Sequence, residues 1–125
     1  MSDATLPGVV VAHGGLAAAL VEETERISGR AGVLQAVSNS ACGREQIEER
    51  VRAAVGAGPA VIFVDMPCGS CYFAAMRVGR ERSDVRVVTG VNLPMLLDFV
   101  NQKALPPEES AGRAAGKGAE AIRKG

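Results

Sequence analysis

The sequence predicts an α/β protein with a doubly wound, mostly parallel four-stranded sheet and helices on both faces. Four short apolar runs are each followed by a segment of helical character, the order expected of strands joined by crossover helices. Two of these runs are continuously apolar, as in strands buried on both faces. The predicted strands are residues 9–12, 32–37, 60–64 and 85–89.

The helical segments have recognisable faces and ends. Segment 44–55 places Ile47, Val51 and Val55 on one stripe, and the glycine after it ends the helix. The spacing of apolar residues in the first helix predicts that its buried face carries Leu16, Leu20 and Ile27. The predicted helices are residues 16–27, 44–55, 70–78, 94–100 and, at the C-terminus, about 106–123.

Length and charge favour one soluble domain. The 125 residues suit a single domain over 1–125 with a core at about 8–103, and 14 basic side chains balance 14 acidic ones. This balance argues against nucleic acid and against an anionic membrane as the main partner. Residues 1–5 show no secretory signal and no run is long enough to insert into a membrane, so we expect a cytoplasmic protein with free thiols.

Candidate site residues follow the predicted strands, because open parallel sheets bind ligands beyond the carboxyl ends of their strands. His13, the single histidine, follows the first strand and precedes two glycines, while Asp65 follows the third. A lone histidine is often only a surface or core residue. If the two strands are neighbours, however, the Asp65 carboxylate can fix the His13 tautomer and leave the other ring nitrogen free as a nucleophile.

A helix start close behind Asp65 provides an anion site. Gly69 and Ser70 precede or begin the third helix, where Ser70 is expected to act as the N-cap and free N–H groups face a ligand. A phosphoryl group on His13 would carry about two negative charges. These loops contain no lysine or arginine, so we expect the backbone around Gly69, Ser70 and Cys71 and the Ser70 hydroxyl to bind it.

Together these segments resemble the enzyme IIA domain of the mannose family of the bacterial sugar phosphotransferase system. The similarity covers about residues 8–100 and is carried by the His13 loop, the Asp65 loop and the segment 90–96, Gly-Val-Asn-Leu-Pro-Met-Leu. The resemblance implies a homodimer in which His13 receives a phosphoryl group from the histidine-containing phosphocarrier protein and passes it to a IIB component. It also implies that Asp65 orients His13, that Ser70 contacts the phosphoryl group and that Asn92 lines the site. We expect no cofactor.

The sequence departs from the family pattern in one turn. The family usually has Gly-Gly-Ser-Pro in the turn after the aspartate, whereas this chain has Cys68-Gly69-Ser70-Cys71. Loss of the first glycine removes a residue that tolerates a positive φ, and loss of the proline removes a preset helical residue. The departure affects the turn expected to bind the phosphoryl group and leaves His13 and Asp65 unchanged.

Other functions remain open from the sequence. Cys68 and Cys71 flank a helix start as in a thioredoxin-like dithiol site, although too little chain separates Cys71 from Pro94 to hold the missing strand and helix of that fold. Cys42 could join them and His13 around zinc, but the spacing is not that of a structural site, so we expect no metal. A phosphorylated regulatory module and the phosphoryl donor of dihydroxyacetone kinase would use the same histidine.

Overall fold

The computed structural model describes residues 5–125, in which strands and helices alternate as predicted. The expectation about a secretory signal concerns mainly residues 1–4, which lie outside the described part. The strands are β1 (Gly8–Ala12), β2 (Leu34–Ser38), β3 (Ala60–Val64) and β4 (Val85–Thr89). The helices are α1 (Leu16–Ser28), α2 (Arg44–Val55), α3 (Gly69–Glu81), α4 (Leu93–Val100) and α5 (Pro107–Glu120). Within residues 5–125, no helix is long and apolar enough to cross a membrane.

The sheet is entirely parallel, with the strand order β2-β1-β3-β4. β1 is central, and its Val11 lies between Val37 of β2 and Val64 of β3. The chain runs from β1 outward to β2 and then crosses back to β3, so the strand order reverses between β1 and β3. This confirms the predicted doubly wound sheet and makes the carboxyl ends of β1 and β3 the place where a ligand site is expected.

Alternate side chains of the strands enter two separate cores, because successive strand residues point to opposite faces. Val9 and Val11 pack with α2 and α3, whereas Val10 and Ala12 pack with α1, α4 and α5. The second core is anchored by Phe63 and Phe99, whose rings meet edge to face at 4.9 Å between centroids. Both faces of the sheet are therefore covered by helices, as predicted.

The first helix packs differently from its apolar pattern. Leu16 and Ile27, two of the three residues predicted to be buried, are 45% and 58% exposed. The fully covered residues are Ala17 and Thr24, which are small enough for a close approach of α1 to the core. The Thr24 hydroxyl donates a hydrogen bond to the Leu20 carbonyl at 2.7 Å, so its burial leaves no donor unpaired.

The predicted second strand begins too early. Gly32 has φ +87°, a left-handed conformation that interrupts an extended strand, and β2 therefore starts at Leu34. The C-terminal helix also ends at Glu120, three residues short of the predicted end.

The C-terminal helix is held against α4 by a close backbone contact. Asn92 caps α4, since its Oδ1 accepts a hydrogen bond from the Met95 amide, and its Nδ2 donates to the Gly118 carbonyl of α5, both at 3.0 Å. A Cβ on Gly118 would lie 2.7 Å from Met95 Cε and 3.0 Å from Asn92 Oδ1. Glycine lowers the intrinsic stability of a helix, but at position 118 it allows α5 to pack closely against α4.

We expect Gly118→Ala and Gly116→Ala to change stability in opposite directions. Gly118→Ala should lower the free energy of unfolding by about 1–3 kcal/mol, because the added methyl would lie 3.0 Å from Met95 Cβ and from the Asn92 Oδ1 that caps α4, and neither atom can move as freely as the end of the Met95 side chain. Gly116 lies in the same helix with open space around its Cβ position, so Gly116→Ala should raise it by about 0.4–1 kcal/mol. Urea unfolding followed by circular dichroism measures both. Equal effects of the two substitutions would contradict the close contact.

Candidate functional site

His13 and Asp65 meet at the carboxyl ends of β1 and β3, where the strand order reverses. His13 follows β1 directly and Asp65 follows β3 directly, and the pairing of these strands places the two residues side by side. The backbone continues this pairing, since the Asp65 amide donates to the Val11 carbonyl. The expected neighbourhood of imidazole and carboxylate is confirmed.

One carboxylate oxygen holds the histidine at two points. Asp65 Oδ2 lies 2.7 Å from His13 Nδ1 and accepts a second hydrogen bond from the His13 amide at 3.0 Å. The Asp65 side chain is only 8% exposed, whereas that of His13 is 40% exposed. Because an ionised carboxylate can only accept, the contact favours the tautomer with hydrogen on Nδ1 and a lone pair on Nε2.

The Nε2 side of the imidazole faces the start of α3. A Cβ on Gly69 would lie 3.5 Å from His13 Nε2 and 3.6 Å from Cε1. Gly69 is the first residue of α3 and has φ +89°, whereas Cys68 before it is extended at φ −161°. The turn therefore needs its positive φ at Gly69, and the cysteine at 68, where the resemblance implies a glycine, is compatible with it.

The start of α3 offers donors without a side-chain cap. Cys68, and not Ser70, is the N-cap residue, and no side chain caps this helix, so the prediction for Ser70 as the cap is wrong. The first N–H groups of a helix have no partner within it, and those of Gly69, Ser70 and Cys71 are in this position. They form the positive end of the helix beside Nε2.

Asn39 connects the two loops of the site, and the sequence did not single it out. Its Oδ1 accepts from the Gly14 amide at 3.1 Å, and its Nδ2 donates to Ser70 Oγ at 3.4 Å. Asn39 follows β2, the other neighbour of β1. The signal that could have found it is the position of a polar loop at the carboxyl end of a strand, once β2 is known to flank β1.

Asn92, which the resemblance implied as a lining residue, has its side chain engaged elsewhere. Its Oδ1 and Nδ2 contact the Met95 amide and the Gly118 carbonyl. The structure thus gives Asn92 a defined role in joining α4 to α5, and its contact with a phosphoryl group stays a prediction.

The two cysteines at the start of α3 have contrasting surroundings. Cys68 is exposed, while Cys71 is fully buried in the core formed by α2, α3 and the sheet. Burial raises the pKa of the Cys71 thiol to about 11, with a further contribution from the negative charge of Asp65. The Cys71 sulfur and ligand atoms of His13 and Asp65 all lie within 4.8 Å of one another.

The comparisons with known proteins agree with this architecture. The family model described as "PTS system fructose IIA component" matches residues 8–115. The fold resembles a phosphotransferase system component EIIA from Streptococcus agalactiae (TM-score 0.84, 16% identity, 95% of this chain and 96% of that chain). It also resembles a mannose/sorbose specific IIA subunit from Enterococcus faecalis (TM-score 0.83, 19% identity, 96% and 94%). A third similar structure is a PTS IIA protein associated with the fucose utilization operon from Streptococcus pneumoniae (0.69, 16%, 99% and 96%). No protein of curated function matches the chain.

The three cysteines should differ in reactivity in the order of their exposure. At pH 8 we expect iodoacetamide to modify Cys68 first, half-buried Cys42 more slowly, and Cys71 only when the protein unfolds, because the reagent attacks accessible thiolates. Peptide mass spectrometry after timed quenching measures the order. The same reaction in guanidinium chloride is the control, since unfolding should equalise the three rates. Early modification of Cys71 in the folded protein would contradict its burial.

Proposed function

Because the chain belongs to the mannose-type enzyme IIA family of the sugar phosphotransferase system, we propose that it is a phosphoryl carrier that uses His13 as the acceptor. The observation that best supports this proposal is the hydrogen bond between His13 Nδ1 and Asp65 Oδ2, which leaves Nε2 free beside the start of α3. A neutral imidazole with a free lone pair is a competent nucleophile toward phosphorus.

Transfer to this site is an in-line exchange between two nitrogens. The Nε2 lone pair forms the new N–P bond while the N–P bond to the donor's imidazole breaks, and the bonding electrons leave with that imidazole. The His13 ring gains positive charge as the bond forms. Asp65, which already accepts the Nδ1 hydrogen bond, lies where it stabilises that charge. Reversal of the same step passes the group onward.

The start of α3 would hold the phosphoryl oxygens through amides. Gly69 lies next to Nε2, and the free N–H groups of Gly69, Ser70 and Cys71, together with the Ser70 hydroxyl, are the donors at this end of the helix. The loops 13–15, 65–71 and 90–92 contain no lysine or arginine. Holding by neutral donors alone suits a carrier, which must release the group as readily as it accepts it.

The site is open enough to meet another protein. His13 is 40% exposed, and two large apolar side chains, Leu16 and Met66, are exposed in the segments that follow β1 and β3. We propose that the donor is the histidine-containing phosphocarrier protein and the acceptor a IIB component, with this chain acting in the cytoplasm as a homodimer of single-domain chains. The sugar would be selected by the other components.

Of the alternatives, two share the proposed chemistry. A regulatory module and a dihydroxyacetone kinase phosphoryl donor would use His13 in the same step and differ only in what accepts the group. A thioredoxin-like function has less support, because the all-parallel sheet belongs to the IIA family and Cys71 is buried with a raised pKa. An assay of phosphoryl transfer to a purified IIB component distinguishes a transport function from a regulatory module and from a dihydroxyacetone kinase phosphoryl donor.

We expect phosphorylation to require His13 and to depend strongly on Asp65. Incubation with labelled phosphoenolpyruvate, enzyme I and the histidine phosphocarrier should give an acid-labile, base-stable label. The label should be absent in His13→Ala. In Asp65→Asn it should form roughly 10²-fold or more slowly, because the charge that orients and stabilises the imidazole is lost. Quenched time courses and electrophoresis measure the rates.

Glu109→Gln is the matched control for this experiment, since it removes an exposed carboxylate on α5. It should be labelled at the wild-type rate. A label that persists in His13→Ala would overturn the proposed carrier function.

We further expect the space beside Nε2 to be needed for transfer. Gly69→Ala should slow labelling about tenfold or more, because its methyl would lie against Nε2 and its φ of +89° is unfavourable for alanine. Gly14→Ala has a similar positive φ of +59° but no atom near its Cβ position, so it reports the backbone strain alone and should slow labelling less. Equal rates for the two variants would show that crowding at Nε2 is not the cause.

A further inference from the structure

His13, Asp65 and Cys71 form a compact group of three chemically different ligands. They offer an imidazole nitrogen, a carboxylate oxygen and a sulfur, all within 4.8 Å of one another. Within residues 5–125 this is the one group of three or more such residues so arranged. The phosphoryl-transfer step described above uses the first two residues and makes no use of the Cys71 sulfur.

The carboxylate of this group has an unused oxygen. While Asp65 Oδ2 accepts two hydrogen bonds from His13, Oδ1 is buried and has no hydrogen-bond partner among the described residues. The Asp65 side chain is 92% buried, so solvent does not compensate Oδ1. A buried acceptor without a partner, next to a thiol and an imidazole, is an arrangement that a cation can complete.

We propose that His13, Asp65 and Cys71 bind a Zn²⁺ ion in the unphosphorylated protein, with the fourth coordination position left to water. A thiolate, an imidazole and a carboxylate are the ligand types that zinc accepts, and three protein ligands with one open position is a known zinc arrangement. The proposal concerns metal binding alone and does not rest on the phosphoryl carrier function.

The geometry and the charges are suited to such an ion. Zinc–ligand bonds of about 2.0–2.3 Å place tetrahedral ligands roughly 3.5 Å apart, so separations of up to 4.8 Å need a contraction of about 1 Å. On binding, the Cys71 thiol loses its proton to solvent and the sulfur–metal bond replaces the sulfur–hydrogen bond. Zn²⁺ with one carboxylate and one thiolate gives a neutral site, which can remain buried.

Metal and phosphoryl group would exclude each other at His13. A metal on Nε2 blocks the phosphoryl acceptor atom. A metal on Nδ1 replaces the hydrogen bond to Asp65 and leaves the ring hydrogen on Nε2, where no lone pair is then free to attack phosphorus. Zinc should therefore inhibit labelling, a consequence that does rest on the proposed function. Binding itself is measured without any phosphoryl donor, so failure of one idea is distinguishable from failure of the other.

The test is titration of the whole chain, stripped with EDTA, with zinc chloride in competition with a chromophoric zinc chelator. We expect about one Zn²⁺ per chain, and affinity at least tenfold weaker in Cys71→Ser and in Asp65→Asn. Cys68→Ser and Cys42→Ser are matched controls, since each removes a thiol outside the cluster, and both should bind as the wild type does. Circular dichroism checks that every variant is folded.

Two results would overturn the proposal. The first is that the wild type does not bind zinc. The second is that zinc binding depends on Cys68 but not on Cys71, which would indicate chelation by an exposed thiol. Cys71 is buried, so its serine variant could fail to fold. In that case Co²⁺ replaces Zn²⁺ in the wild type and in the double variant Cys42→Ser/Cys68→Ser, in which Cys71 is the one remaining thiol. A sulfur-to-cobalt charge-transfer band in both supports Cys71 as a ligand, and its loss in the double variant counts against the proposal.

Discussion

The contact between His13 and Asp65 is the constraint on which the site depends. It joins residues 52 positions apart in sequence, so it exists only because β1 and β3 pair in parallel and end at the same edge. Asp65 Oδ2 accepts from both the ring and the backbone of His13, which limits the rotation of the imidazole as well as its tautomer. In the proposed carrier function, Nε2 is thereby oriented before any partner arrives, and this preorganisation would reduce the reorganisation needed during transfer.

The sheet makes this constraint rigid by burying both of its faces. β1 and β3 are covered along their whole lengths, and their alternate side chains fill two cores of different composition. One core is built from aliphatic residues of α2 and α3, while the other contains Phe63 and Phe99. Because packed interiors resist deformation, the strand ends hold His13 and Asp65 in fixed positions, although both residues themselves lie outside the strands.

Much of this arrangement could be predicted from the sequence, because it follows from local patterns. Continuous apolar runs identified β1 and β3, and the rule for parallel sheets then placed His13 and Asp65 at one edge. The misassigned details depend on three-dimensional packing. In α1 the small residues Ala17 and Thr24 are the buried ones, because the helix backbone lies close to the rest of the protein. The spacing of apolar residues in the sequence does not reveal this close approach. Asn39 becomes part of the site only because β2 flanks β1, and Ser70 contacts Asn39 where it was expected to cap α3.

The cysteine at position 71 shows how a departure from a family pattern can leave the main geometry unchanged. The turn needs extended backbone at Cys68 and a positive φ at Gly69, and neither requirement involves the residue that replaces proline. Proline has no N–H, whereas Cys71 has one, and in the first turn of α3 that group has no acceptor within the helix. Position 71 therefore has an amide donor in the first turn of α3, the helix whose first residue, Gly69, lies beside Nε2. The Cys71 sulfur also lies within 4.8 Å of ligand atoms of His13 and Asp65, and Asp65 Oδ1 has no hydrogen-bond partner among residues 5–125. Cys71 thus provides an amide hydrogen and a thiol at a position where a proline would have neither.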